Sequence, residues 1–116
     1  MTLIAPPMHG GALCTRSFIP HVCHDAIGVL AAVTVGTACV LQGTVCEGVA
    51  ELQAGAQQAL SVEHPTGEFS VVLQTQAADV PGGCEVTQAA LLRTARLIMR
   101  GEAMVPAAIW NSGDKT

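Results

Sequence analysis

From His24 to Leu41 the chain reads HDAIGVLAAVTVGTACVL, a stretch rich in alanine and apolar on every side. A helix built from it has no polar face to turn to water, so it must lie inside other structure. Val33, Thr34, Val35 and Thr37 are β-branched and lower helix propensity, which makes a buried strand the competing reading; the length and the alanines favour the helix. Its most apolar part, Ile27 to Leu41, is interrupted by Gly28, Thr34, Gly36 and Thr37 and falls short of the roughly 20 residues that cross a bilayer. A membrane span is therefore not expected.

The 116 residues suffice for one modest core, and with 50% hydrophobic but only 3% aromatic residues that core must be aliphatic. A net charge of −4 and five scattered basic residues offer no stripe to neutralise a run of phosphates, which argues against a nucleic-acid partner. The cysteines Cys14, Cys23, Cys39, Cys46 and Cys84 form no CxxC pair, and the N-terminus lacks a basic segment followed by an apolar one. A reducing cytoplasm is the expected setting.

The paired prolines and glycines of residues 1–13 read as a lead-in without regular structure. Cys14–Ile19 reads as a strand closed by Pro20, and Thr44 to Leu52 is ambiguous. Gln58 to Glu63 and Glu68 to Thr75 alternate apolar and polar residues around His64-Pro65-Thr66-Gly67, the signature of a β-hairpin. After the Pro81-Gly82-Gly83 turn, periodicity over Gln88–Arg100 favours an amphipathic helix with Leu91, Leu92, Ala95 and Met99 on one face. One wholly apolar helix among short strands is most simply buried by wrapping the strands around it. The expected fold is α+β, an antiparallel sheet or barrel around a central helix at about 24–41.

Reactive side chains are densest at Arg16, His21, Cys23 and His24, just ahead of that helix. A helix start leaves about four N–H groups unpaired and is partly positive, so it suits a carboxylate, and histidines beside it are placed to move protons. Capping by the histidines and simple burial of Cys23 explain the same residues equally well. His9, His21, Cys23 and His24 lack zinc-finger spacing and a second ligand pair, so no metal is expected. His64 in its turn, and Arg93 with Arg96 as guanidinium forks, are further candidates for binding a carboxylate; an ordinary turn and a solvated face are the alternatives.

Three segments in order, Arg16-Ser-Phe-Ile-Pro-His21-Val-Cys-His24-Asp-Ala-Ile-Gly-Val-Leu30, Glu63-His-Pro-Thr-Gly-Glu-Phe69 and Leu92-Arg-Thr-Ala-Arg-Leu-Ile-Met-Arg-Gly-Glu102 with Val105-Pro106, resemble the C-terminal half of PrpF-type proteins. The likeness runs from about Gly10 to Trp110. It implies a diaminopimelate-epimerase-like fold of two similar domains, each with a sheet wrapped around a central helix, with 14–110 as one such domain and 111–116 as a polar tail. It also implies that Glu85 to Val105 is extended rather than helical.

In that family the two helix starts face a shared cleft, where a small polycarboxylate is isomerised by proton transfer without a cofactor. Aconitate isomerases and 4-oxalomesaconate tautomerases are members. By resemblance His24 and Ala26 match the family's His-x-Ala and the amides of Gly28 and Val29 meet the substrate, and Arg16, His21, His64 and Arg93 are the further candidates for binding it. Leu30-Ala31 stands where many members have Thr-Gly, which removes a hydroxyl contact. The family's lysine and cysteine acid/base pair lies in the N-terminal domain, for which this chain has no matching segment, and its one lysine is Lys115. His24 is then the best catalytic candidate here. The partner implied is an N-terminal domain, or another copy joined through the apolar surface that domain would cover. An inactive remnant or binding module, and a small thiol or metal protein on His21, Cys23 and His24, are the alternatives.

Overall fold

The computed structural model describes residues 1–106, 108 and 109. Trp110, Lys115 and the expected tail at 111–116 lie outside the described residues. Among the described residues five strands and one helix follow in the order β1 (Thr2–Ala5), β2 (Leu13–Ser17), α1 (Val29–Val40), β3 (Gln57–His64), β4 (Gly67–Ala77) and β5 (Cys84–Leu91). The strands form one sheet in the order β1-β2-β3-β4-β5. β2 and β3 are parallel, and every other neighbouring pair is antiparallel.

The β3–β4 hairpin stands where alternation places it, with Pro65 and Thr66 as its two turn residues. On one face of the sheet Gln58, Leu60 and Val62 of β3 lie opposite Leu73, Val71 and Phe69 of β4, and all six are buried. α1 packs on this face through Ala32, Val35, Gly36 and Cys39, which recur at the spacing of one helical stripe. Gly36 lets the backbone come close, since a Cβ there would lie 3.2 Å from Val71 Cγ1.

Four expectations need correction. The helix begins at Val29 rather than His24, because Gly28 keeps an extended backbone (φ −67°, ψ 150°) and acts as its N-cap. It is covered on one face only: the sheet is mixed and not closed into a barrel, and Leu30 on the outer side is 82% exposed. Residues 1–13 are not wholly irregular, because Thr2–Ala5 pairs with Cys14–Ser17 before Pro6 and Pro7 end the strand. Finally, the extended reading of Glu85–Val105 holds only as far as Leu91, and 92–106 has no regular structure. The helical pattern there loses to the ladder with β4, which a helix could not form.

Candidate functional site

The parallel pairing of β2 with β3 brings the C-terminal ends of both strands to one end of the sheet. β4 starts there and β5 finishes there, with Val71 opposite Leu91. The segment leading into α1 is tied to the same end. The His24 N–H donates to Ser17 O (2.7 Å), and the Thr66 hydroxyl donates to Asp25 O (2.7 Å). α1 then runs away from this end, and at its far end Gln42 N–H donates to Gly82 O (3.0 Å) just before β5.

Side chains alternate between faces along a strand. His64 therefore lies on the helix-bearing face with Val62 and Phe69, and Arg93, two residues beyond Leu91, continues on that face. Its guanidinium sits 5.1 Å from the centre of the Phe69 ring, a cation–π contact that holds the head near the hairpin. Arg93 is exposed, so its remaining donors face solvent.

His24 is also exposed, and its Nδ1 accepts the Ala26 N–H at 2.9 Å. Thr66 Oγ1 lies 3.4 Å from His64 Nδ1. The first intrahelical bond runs from Ala32 N–H to Gly28 O (2.9 Å), so the N–H groups of the first turn have no partner within the helix. Among the described residues no side chain caps them, and the first turn carries no acidic residue. The partial positive charge of this helix end is thus left for an external acceptor. His24, the amides around Gly28 and Val29, His64 and Arg93 thus lie toward one end of the sheet.

Arg16 and His21 stand apart from this group. Arg16 falls on the opposite face, with Cys14, and its Nη1 donates back to Thr15 O (2.7 Å) and Cys14 Sγ (3.2 Å). His21 is exposed in the tight turn between Phe18 and Cys23, closed by Ile19 N–H donating to Val22 O (3.0 Å). Among the described residues no three His, Cys, Asp or Glu side chains converge as metal ligands. Cys39 is no nucleophile: burial, with Cys46 beside it, pushes its thiol up to about 12.

Sequence reasoning missed Glu63. It lies on the face away from the helix with 3% of its surface exposed. Its carboxylate accepts three backbone N–H groups, from Met8 (2.8 Å), His9 (2.7 Å) and Gly11 (2.8 Å). The Met8 amide above all, then those of Gly11 and His9, hold the carboxyl below its usual range against the opposing effect of burial. The group borders a cavity of about 310 Å³ lined by His9, Gly10, Gly11, Ser61, Gly67 and Glu68. With every strong interaction of the carboxylate directed at backbone, it serves as a clamp between β3 and the loop after β1. The one hint in the sequence was Gly10-Gly11, a loop whose amides need an acceptor.

A family model described as PrpF protein matches residues 9–106. The chain is 52% identical over 105 residues to a Novosphingobium protein named (4E)-oxalomesaconate Delta-isomerase, covering 90% of this chain and 28% of that one. It is 42% identical over 115 residues to a Pseudomonas putida protein named 4-oxalomesaconate tautomerase, covering 99% of this chain and 30% of the relative. The chain thus spans less than a third of the length of these curated relatives.

Proposed function

Because the chain belongs to the PrpF family, we propose that it forms one wall of an isomerase or tautomerase site that shifts a double bond in a small unsaturated di- or tricarboxylic acid. Protons move to and from carbon, and no cofactor takes part. The names of the two relatives support this substrate class. The observation that carries the reading is the uncapped start of α1, set at one end of the sheet with His24, His64 and Arg93.

A carboxylate meeting the amides around Gly28 and Val29 gains both hydrogen bonds and the field of the helix. The same donors stabilise the enolate-like charge that grows when a proton leaves the adjacent carbon. Arg93 is placed to take a second carboxylate in a fork. Arg16 and His21 have no part in this grip, since one turns to the other face and the other points outward. The opposite wall of the cleft belongs to the portion of the relatives' length that this chain does not span.

The test is proton–deuterium exchange, followed by NMR, into aconitate- and oxalomesaconate-like acids in D2O. The purified chain is assayed alone and then with the remaining portion of a relative. The expected result is exchange on mixing and little without it. Exchange by the chain alone would keep the isomerase reading but overturn its one-wall part, placing all the needed proton-transfer groups here. Absence of exchange in both arms would overturn it in favour of an inactive remnant or a binding module.

A further inference from the structure

The sheet ends in an unguarded strand, and the chain beyond that strand carries large apolar side chains with nothing to cover them. We propose that residues 93–99 form an arm that pairs antiparallel with the free edge of β5 in a second copy of this chain, reciprocally, so that two sheets join across a two-fold axis. This pairing does not depend on the function proposed above.

Among the described residues β5 pairs only with β4, so its other edge is open. Its sequence, CEVTQAAL, holds neither the lysine nor the proline with which such edges are usually blocked. The opposite edge, β1, is four residues long and stops at Pro6-Pro7. Beyond β5 the chain keeps to the sheet for two residues: Leu92 N–H donates to Ser70 O (3.2 Å), and Arg93 rests on Phe69. From Thr94 to Pro106 every residue is exposed, Leu97, Ile98 and Met99 by 79%, 94% and 85%. The radius of gyration is 19.2 Å, where about 13 Å suits a compact chain of this length.

A second copy matches the arm in register, polarity and charge. β5 meets β4 in seven residue pairs, from Leu91 to Cys84, with Thr87 left out at a bulge. A two-fold axis at Leu92 sets Arg93 to Met99 against the same seven residues from the open side, Arg93 opposite Leu91 and Met99 opposite Cys84. Leu97 then faces Val86, which already packs against the core, and Ala95, Leu97 and Met99 prolong the apolar layer on the face that bears α1. Thr94, Arg96 and Ile98 fall on the other face. There Ile98 lies opposite Glu85, with Arg96 and Arg100 on its two diagonals, close enough for opposite charges to attract. Glu85 is exposed and bonded to Gln76 Nε2 through one oxygen only (3.1 Å). The wider charge pattern agrees: residues 1–91 hold seven Asp or Glu and one Arg, whereas 92–106 hold three Arg and one Glu. A basic, apolar arm thus meets an acidic body, and two-fold symmetry makes every contact twice.

Sedimentation velocity of the purified chain over a concentration series reads the assembly, and hydrogen exchange locates it. The expected species has twice the chain mass of 11.9 kDa, and the amides of 93–99 gain protection as it forms. Leu97→Asp with Met99→Asp should shift the chain to monomer. Both side chains are exposed, so the variant should fold, and an unchanged circular dichroism spectrum of the diluted chain would confirm it. Glu85→Arg alone, and Arg96→Glu with Arg100→Glu alone, should each weaken self-association roughly tenfold, and all three together should restore it. A dimer untouched by the two aspartates would overturn the proposal and move the contact to another face, such as the outer side of α1. A combined charge variant that stays as weak as its parents would overturn the pairing of the arm with β5. A chain that is monomeric throughout would overturn the proposal as well; protection of 93–99 gained only on mixing with the remaining portion of a relative would then give the arm to that portion instead.

Discussion

Gly11→Ala is expected to destabilise the fold by about 1–3 kcal/mol at neutral pH, seen as a lower urea midpoint. A Cβ on Gly11 would sit 2.7 Å from Glu63 Cγ and 2.8 Å from Ser61 O, closer than such atoms approach. Neither neighbour can step aside cheaply. Ser61 O already accepts the Ala12 N–H at 2.8 Å, and the Glu63 side chain is held by the amides of Met8, His9 and Gly11. The loop must shift and the carboxylate must lose its donors.

The same clamp gives the effect a pH signature. Folding lowers the Glu63 pKa from 4.5, so the carboxylate adds stability that is present above the unfolded value and is lost as pH falls through the folded one. Gly11→Ala removes much of that contribution beforehand. Its deficit relative to wild type should be largest near neutrality and should shrink in acid. Urea titrations on either side of this range check the sign. A deficit that stays constant with pH would mean that steric overlap alone is responsible.

The other large effect is on exchange in the completed site. His64→Gln and His24→Gln each remove an imidazole from the proposed carboxylate grip, and exchange in the completed site should fall by roughly 10- to 100-fold for either, the weight of a hydrogen bond to a charged group. The assay is the same deuterium-exchange measurement, with thermal unfolding to show that both variants remain folded. Unchanged exchange in both variants would remove the two histidines from the site.

The hairpin was legible because period-two alternation and the Pro65-Thr66 turn are local signals, and the buried helix because no other element absorbs so apolar a run. Its first residue was not legible. The alanine-rich apolar run drew the helix back to His24, whereas that ring instead engages the Ala26 amide and Gly28 stays extended. β1 escaped notice because four residues ahead of two prolines carry little pattern of their own. Leu91, Leu92, Ala95 and Met99 recur at helical spacing, yet pairing with β4 draws the first of them into a strand. The full wrapping of α1 was overstated, since an apolar helix requires cover without specifying that its own chain supplies all of it. At the site, residue type and position picked out His24, His64 and Arg93, which the fold brings toward one end of the sheet. They also picked out Arg16, which strand alternation turns away. Glu63 could not be found from its neighbours in sequence, because its three donors lie 52 to 55 positions away.

The lone parallel junction in the sheet also orders the events of folding. β3, β4 and β5 are joined by short turns and can zip together locally, whereas Thr15 reaches its β3 partner, Glu63 O, across 48 positions that include the whole of α1. Closing that loop is the entropically demanding step. A meander of three strands with the helix laid on it should therefore form early, and β1 and β2 should add late. Backbone amides of β1 and β2 should accordingly gain protection from solvent last in a refolding time course, and the reactive end of the sheet, which needs β2 to anchor His24, should be the final part of the molecule to take shape.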